Sequence, residues 1–329
     1  MIMPLLSASL RAGFSKFEHA FRVLALVGSV LGAAVVGFAQ INYDVPYTFT
    51  TIAGRASQGS ADGKGSAARF NEPEGVLADG EGTIYVADTY NHVIRKITRD
   101  GVVTTFVGKA GVRGHLDGVG LEVELAEPTG MALDAKGNLY VADTATSVIR
   151  KVTPAGMVST FAGRPRERGS RDGTARNATF QDPRGIACAP DGTLYVADSH
   201  NYTIRRIDVK GNVTTLAGKA EQSGHQDGTG SAARFSYPES ILLDDTGNLW
   251  VRDNGILRKV TPKGKVTTPS LELPIVSAMC RDSAGNIYVA DEKGEEIIKI
   301  SPKGGQIPVV QGEMSAVPCT LWLTLDPQE

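Results

Sequence analysis

The hydrophobic pattern of this chain is a short β-strand pattern that returns at a fixed interval. It is first seen in Ile84–Asp88, where large apolar and small side chains alternate before an aspartate. The same pattern recurs in four later segments: Leu139–Asp143, Leu194–Asp198, Leu249–Asp253 and Ile287–Asp291. The first four segments begin 55 residues apart, and the last follows after 38. A fixed period of this size indicates one supersecondary unit that is used repeatedly.

The second unit shows what one repeat contains. Its β-rich runs are Thr129–Asp134, Leu139–Asp143, Val148–Val152 and Met157–Gly163, and short polar or glycine-containing turns separate them. The unit has no sustained helical period. Four short strands joined by tight turns predict an antiparallel meander. Four-stranded sheets that repeat around an axis are the blades of a β-propeller.

The residues of this unit resemble the NHL repeat, in the segments Pro128–Asp134, Gly137–Asp143 and Ile149–Lys151. Pro183–Arg206 and Pro73–Lys96 match the same pattern nearly as well. The resemblance extends over roughly residues 48–326, and it implies an all-β propeller of the kind found in exported bacterial NHL proteins. It leaves function open, because NHL propellers include protein binders, RNA binders, receptor ectodomains and a few lyases.

The fourth and fifth units depart from the pattern. In the fourth, Ser240 replaces a glycine, Arg252 replaces an alanine, and the loop after Asp253 is two residues shorter. In the fifth, Ile298 stands where the second unit has Arg150. These departures weaken the resemblance toward the end of the chain without removing it.

The ends of the repeat region carry single strands without a complete unit. Thr48–Gly54 resembles the fourth strand of a unit, and Pro318–Asp326 resembles a first strand. We therefore expect a propeller over residues 48–329 with six blades, of which five are built in sequence and the sixth is shared between the termini. Such closure would cover the sheet edges that otherwise pair with other chains.

The first 39 residues do not belong to the repeat. Val23–Ala39 is apolar and uncharged, basic residues precede it, and Gly37-Phe38-Ala39 offers small residues at the usual cleavage spacing. This pattern predicts a secretory signal peptide, followed by a lead-in segment at residues 40–47. The alternative is an uncleaved N-terminal membrane anchor, for which 17 apolar residues are at the lower limit. In either case we expect an exported, periplasmic, cell-surface or secreted protein.

Charge and cysteine content narrow the class of partner. The chain has 34 Lys and Arg against 36 Asp and Glu, and no basic cluster with interleaved aromatic residues. This balance argues against nucleic acid as a partner and favours a protein, peptide or glycan ligand, with membrane contact only if the leader is retained. Cys188, Cys280 and Cys319 are odd in number and predict buried free thiols.

An insertion with an Asp-Gly pair precedes the first strand of four units. Because strand direction alternates in a meander, these insertions and the loops after the second strands should lie on one face. We call this the loop face and expect a ligand there. Its candidate residues are Tyr90, Asn91, His92, His115, Asp117, His200, Asn201, Tyr202, His225 and Asp227.

The residues that recur from unit to unit have a structural interpretation. The aspartates that end the second strands, such as Asp143, are expected to accept hydrogen bonds from turn amides. The aspartates of the insertions, such as Asp117, are expected to form a turn or cap one helical turn. The arginines that recur with them, such as Arg150, are expected to pair between neighbouring blades.

No cofactor is expected, although two metal sites stay open as alternatives. A ring of insertion carboxylates could hold Ca²⁺, and the histidines could hold Zn²⁺. The resemblance includes amidating lyases with a histidine site near the propeller axis, but the tight histidine spacing of a zinc motif is absent. We therefore expect a binding or scaffolding module, with a metal-dependent lyase or lactone hydrolase as the alternative and a structural envelope component as a third possibility.

Overall fold

The computed structural model describes residues 5–10, 21–26, 47–271, 273, 275–291 and 296–311, with side chains from residue 51 to residue 309 within these ranges. The described chain is all-β, with 3₁₀ turns between strands. Strands β1 (Leu5–Leu10), β2 (Phe21–Leu26) and β3 (Tyr47–Ala53) form an antiparallel sheet in the order β2-β1-β3. The one-turn 3₁₀ helices are Gly65–Ala67, Thr89–Asn91, Gly120–Glu122, Thr144–Thr146, Ser199–Asn201 and Gly230–Ala232.

Five further sheets correspond to the five sequence units, and we number these blades in chain order. The first blade contains β4 (Gly63–Lys64), β5 (Gly75–Ala78), β6 (Ile84–Asp88), β7 (Val93–Ile97) and β8 (Val102–Val107). The second contains β9 (Gly118–Val119), β10 (Pro128–Leu133), β11 (Leu139–Asp143), β12 (Val148–Val152) and β13 (Met157–Ala162). The third contains β14 (Gly173–Thr174), β15 (Pro183–Cys188), β16 (Leu194–Asp198), β17 (Thr203–Ile207) and β18 (Asn212–Gly218).

The fourth blade contains β19 (Gly228–Thr229), β20 (Pro238–Leu243), β21 (Leu249–Asp253), β22 (Ile256–Val260) and β23 (Lys265–Thr267). The fifth contains β24 (Val276–Arg281), β25 (Ile287–Asp291), β26 (Glu296–Ile300) and β27 (Gln306–Gln311). In each blade the four long strands pair in sequence order, as a meander requires. In the first four blades a two-residue strand from the preceding insertion adds to the edge, beside the fourth strand.

The expectation of six blades is wrong, because the described part of the chain forms five blade sheets. Thr48–Ala53 is a strand as expected, but it pairs with β1 in a separate three-stranded sheet. The hydrophobic pattern of a segment identifies it as a strand without identifying its partner. The other half of the expected closure, residues 318–326, lies outside the described residues. The leader at residues 1–39 stays a prediction; no helix in the described ranges is long and apolar enough to cross a membrane.

The chain divides into two compact units. The first comprises residues 1–86, 95–104 and 271–329, and the second comprises residues 87–94 and 105–270. In the first unit, Phe70 is buried with Val86, Ile97 and Val103. In the second, the core is formed by the facing surfaces of neighbouring blades, and both faces of a strand such as β11 are therefore buried. Each large apolar side chain removed from water in this way stabilises the fold by about 1.5–3 kcal/mol.

Glycines in the first strands allow neighbouring blades of the second unit to approach closely. A Cβ atom on Gly130 would lie 2.1 Å from the carbonyl oxygen of Arg184. A Cβ atom on Gly185 would lie 2.6 Å from the carbonyl oxygen of Glu239. The recurring glycine after the strand-opening proline is therefore a requirement of backbone packing.

Candidate functional site

A buried arginine joins the two recurring aspartates within each of the second, third and fourth blades. In the second blade, Arg150 Nη1 donates to Asp143 Oδ2 at 2.9 Å, and Nη2 donates to Asp117 Oδ1 at 2.8 Å. Arg150 and Asp143 are fully buried, whereas the Asp117 side chain is 43% exposed. We call this group an arginine brace. The equivalent braces are Arg205 with Asp198 and Asp172, and Arg258 with Asp253 and Asp227. In the first unit, Arg95 pairs with Asp62 at 2.6 Å.

The brace also fastens the insertion to its own blade. Arg150 donates to the carbonyl oxygens of Glu124 and Leu116, both in the insertion. Asp117 accepts hydrogen bonds from the amide and the hydroxyl of Thr160 in β13, each at 3.0 Å. The arginines therefore pair within a blade, and the expectation that they pair between blades is wrong. The insertion aspartates bind arginine and threonine, and the one-turn helices that follow them have no side-chain cap.

Burial dominates the electrostatics of the brace. It raises the pKa of Asp143 to about 6, against the lowering effects of Arg150 and of the amide of Ala126. The pKa of Asp198 is raised to about 6 for the same reason. One guanidinium serves two carboxylates, so the desolvation of the buried carboxylate is only partly offset.

Two of the predicted ligand residues bind the aspartates that end the second strands. Asn91 and Asn201 are buried, and their side-chain amides donate to Asp88 at 2.8 Å and to Asp198 at 2.7 Å. Tyr202 follows in the left-handed conformation, with φ of 57°. These asparagines therefore hold the loop after the second strand in place.

His92 has a structural contact in the second unit. Its Nδ1 accepts a hydrogen bond from the amide of Glu127 at 3.2 Å. The pKa of His92 is lowered from 6.5, mainly by burial, so both observations favour the neutral imidazole. The equivalent position in the second blade is Ser147, whose hydroxyl accepts from the amide of Asp182 at 3.3 Å.

We expect the His92 contact to weaken in acid. A lowered pKa means that the folded state binds fewer protons than the unfolded state, so this stabilisation is present above pH 6.5 and is lost as the pH falls. His92→Ser should keep the hydrogen bond and lose the pH dependence. Between pH 8 and pH 5, the free energy of unfolding measured in urea should fall by about 0.5–1 kcal/mol more in the wild type than in the variant. An equal pH effect in the variant would contradict this assignment.

Two further predicted residues, Tyr90 in the first blade and His115 in the insertion of the second, are exposed to solvent. Asp117 is held in its brace. Each of the other histidines approaches a different carboxylate: His200 approaches Asp182 and His225 approaches Asp253. The structure thus gives the histidines separate partners.

A polar cluster lies where β15 and β20 begin. His200 Nδ1 is 2.8 Å from Asp182 Oδ2, and its ring meets the ring of Tyr237 edge to face, with centroids 5.2 Å apart. Arg184 Nε donates to the Tyr237 hydroxyl at 3.1 Å. Arg168 Nη2 lies 3.2 Å from the other Asp182 oxygen.

A second ion pair extends this cluster. Arg252 Nη2 lies 2.7 Å from Glu239 Oε2, and both side chains are mostly buried. Burial raises the pKa of Tyr237, with Arg184 opposing and Glu239 supporting that shift. We call the group Asp182, Arg184, His200, Tyr237, Glu239 and Arg252 the loop-face cluster.

Family models match two parts of the chain in which this geometry repeats. The NHL repeat model matches residues 70–97, and the teneurin NHL domain model matches residues 165–233. The repeats of this chain are NHL repeats. The resemblance to NHL repeats inferred from the sequence is thereby confirmed, whereas its exported bacterial character stays a prediction.

Curated proteins are similar over about two thirds of the chain. NHL repeat-containing protein 2 of Bos taurus is 30% identical over 65% of this chain and 34% of its own length. SUPPRESSOR OF QUENCHING 1, chloroplastic, of Arabidopsis thaliana is 30% identical over 64% of this chain and 21% of its own length. Teneurin-m of Drosophila melanogaster is 31% identical over 70% of this chain and 9% of its own length. The chain spans about a third or less of these relatives.

Solved structures share the propeller fold. A gluconolactonase from Xanthomonas campestris superposes with a TM-score of 0.56 and 14% identity, over 78% of this chain and 86% of that chain. An inactive virginiamycin B lyase from Staphylococcus aureus superposes with a TM-score of 0.54 and 12% identity, over 96% of this chain and 93% of that chain. At these identities the likeness concerns the fold alone.

The loop-face cluster is built from positions at which the NHL repeats differ. Arg252 stands where β11 and β16 have Ala142 and Ala197, and Arg184 and Glu239 stand where β10 has Thr129. Of the members of this cluster, His200 was predicted as a ligand residue and the others were not. The available signals were the departure at Arg252 and the charged residue that follows the strand-opening proline.

The metal alternatives stay predictions, whereas two of the three cysteines lie in the described residues. Within the described residues, no group of three or more His, Cys, Asp or Glu is arranged to hold a metal ion. Cys280 is a buried free thiol, as expected, and burial raises its pKa. Cys188 is free but only half-buried, with a pKa raised to about 11 by burial. Cys319 lies outside the described residues.

Proposed function

We propose that this chain is an exported NHL propeller that binds a protein, peptide or glycan ligand through its loop-face cluster. The observation that carries the proposal is the contrast between two kinds of residue. Positions that recur in the repeats form the arginine braces, whereas the polar groups at the start of β15 and β20 differ from repeat to repeat. Residues that take no part in the arginine braces are the ones available for recognition.

The braces give such a site a fixed geometry. Each brace ties an insertion to its blade by charged and neutral hydrogen bonds, and Asn201 ties the neighbouring loop to the buried Asp198. A ligand that meets side chains already held in place loses less conformational entropy on binding. The braces thus favour binding without contacting the ligand themselves.

The side chains of the cluster suit a recognition surface. Tyrosine and arginine are enriched at binding hot spots because each combines a large contact area with directed polar groups. His200 is 41% exposed, and Tyr237 is half-buried beside it. The Asp117 and Asp227 carboxylates are engaged in braces, so we assign direct ligand contact to His200 and Tyr237.

The test is binding to an array of peptides, proteins and glycans. We expect wild-type protein to bind one class and the variants His200→Ala and Tyr237→Ala to bind about tenfold or more weakly, which is the effect of removing a hot-spot side chain. Melting temperatures should stay close to that of the wild type. Val209→Ala and Lys210→Ala, in the exposed turn between β17 and β18, are the matched controls and should bind normally.

Two results would overturn the proposal. Unchanged binding by both cluster variants would move the site elsewhere. Turnover of a lactone with added divalent metal, without binding to any arrayed ligand, would favour the hydrolase alternative.

A further inference from the structure

The insertion of the third blade carries a concentration of arginine that its sister insertions lack. Residues 164–177 hold an excess of three positive charges, from Arg164, Arg166, Arg168, Arg171 and Arg176 against Glu167 and Asp172. The equivalent residues 109–122 carry two basic and two acidic side chains, and residues 219–232 carry one basic and two acidic. The repeat does not require this charge, because the sister insertions form the same brace without it.

The acidic residues of this insertion compensate little of its positive charge. Glu167 lies between two arginines, 3.2 Å from Arg164 Nη1 and 3.2 Å from Arg171 Nη2. Asp172 is bound at 2.7 Å by Arg205, which is buried in β17. One carboxylate is therefore shared by two exposed arginines, and the other is paired with an arginine from outside the insertion.

Two arginines of the insertion are exposed and take no part in these pairs. Within the ranges that the structure describes, neither Arg166 nor Arg176 forms an ion pair. The backbone at both positions is held by hydrogen bonds. The amide of Arg166 donates to the carbonyl oxygen of Thr146 at 2.8 Å, and the carbonyl oxygen of Arg176 accepts from Arg164 Nε at 3.0 Å.

The brace of the third blade gives the insertion further support. Asp172 accepts hydrogen bonds from the amide and the hydroxyl of Thr215 in β18, at 3.1 and 3.0 Å. Arg168 pairs with Asp182 of the loop-face cluster at 3.2 Å, so it is engaged at the border of that cluster. A ligand of the exposed arginines would meet a backbone that is already ordered, which lowers the entropic cost of binding.

The composition of the insertion narrows the class of anionic partner. Residues 164–177 contain no aromatic residue and no Val, Leu, Ile or Met. Single-stranded nucleic acid is bound by aromatic side chains on which its bases stack, interfacial membrane segments insert apolar side chains, and protein interfaces are rich in aromatic residues. A sulfated glycan needs only cationic and hydrogen-bonding groups, and clustered basic residues are typical of surfaces that bind heparin.

We propose that the third insertion, residues 164–177, binds a sulfated glycan, with Arg166 and Arg176 in contact with its sulfate groups. The planar guanidinium presents several N–H donors that match the oxygens of one anionic group. Arg164 and Arg171 add attraction around these contacts, because the two share a single carboxylate. Binding that depends on exposed charges weakens as salt is added.

Binding of a fluorescent heparin oligosaccharide, followed by fluorescence anisotropy, tests the site. The wild type should bind it at least about tenfold more tightly than the same oligosaccharide without its sulfate groups. The double variant Arg166→Gln, Arg176→Gln should bind heparin about tenfold more weakly than the wild type, because two charged contacts are lost. Its melting temperature should stay close to that of the wild type, as for other surface substitutions.

Two control variants identify the source of any loss. Lys136→Gln combined with Lys263→Gln removes the same charge from exposed hairpin turns outside the insertion, and it should bind heparin normally. His200→Ala should also bind heparin normally, because the insertion is a second site beside the loop-face cluster. The outcome is therefore independent of the binding function proposed above.

Three results would overturn the proposal. Unchanged heparin binding by the double arginine variant would place the site elsewhere. An equal loss in the double lysine variant would show that heparin responds only to the net charge of the protein. Tighter binding to a DNA oligonucleotide of equal charge, or to vesicles of anionic phospholipid, would assign the insertion to that other class of partner.

Discussion

Replacing Arg150 by methionine should lower the free energy of unfolding by about 3–5 kcal/mol, because it leaves a buried carboxylate without its cation. Asp143 is fully buried, and the amide of Ala126 alone cannot replace the guanidinium. The insertion would also lose the bonds from Arg150 to Asp117 and Leu116. Urea unfolding followed by circular dichroism and tryptophan fluorescence measures the change.

A double variant separates the charge effect from the loss of packing. Adding Asp143→Asn to the Arg150→Met background removes the unpaired charge and should restore part of the lost stability. Arg164→Met is the surface control, because Arg164 is 46% exposed and pairs with the exposed Glu167. It should change the unfolding free energy by no more than about 0.5 kcal/mol. A small effect of Arg150→Met would show that the brace is not a major source of stability.

Replacing Phe180 by alanine should cost about 3–5 kcal/mol, the usual range for removing a buried phenylalanine. Phe180 is fully buried, and the Arg205 guanidinium lies 5.1 Å from its ring centroid. The substitution would leave a cavity and remove the aromatic face beside the brace. Phe180→Leu should cost less than about 1.5 kcal/mol, because Leu125 already fills the equivalent position in the second blade.

The comparison of the two substitutions at Phe180 isolates volume from aromatic character. Val209→Ala is the control, since Val209 is 67% exposed, and it should be nearly neutral. If Phe180→Leu were as damaging as Phe180→Ala, the contact between the guanidinium and the ring would outweigh the filling of space. Thermal and urea unfolding of the three variants would decide between these explanations.

The strands and their grouping could be predicted because runs of alternating large and small side chains between turn residues mark β-strands. The segment Leu139–Asp143, for example, is a strand with the same bounds in the structure. The number of blades could not be predicted in the same way. Thr48–Ala53 has the pattern of a fourth strand, but its pairing with β1 depends on a distant segment.

The site was predicted only in part, because side-chain partners come from far along the chain. Arg150 and Asp117 are 33 positions apart, and the sequence does not show in which direction a long arginine side chain extends. The sequence placed Asn91 and Asn201 among ligand residues, since it shows that a residue is polar but not that it is buried. Tyr237 was missed because a single tyrosine between strands has no distinctive spacing.

The brace also determines which segment of the chain is a self-sufficient building block. All the residues of this brace, including Asp143 and Arg150, lie between Asp117 and its partner Thr160, which are 43 positions apart. A segment that begins at Asp117 and ends before Asp172 therefore carries one whole brace. A segment that begins at the first strand of a blade instead separates the insertion from the arginine that holds it. Duplication or exchange of the 55 residues from Asp117 to Arg171 keeps the arginine of the brace with both of its aspartates, which makes the insertion the natural start of the repeat.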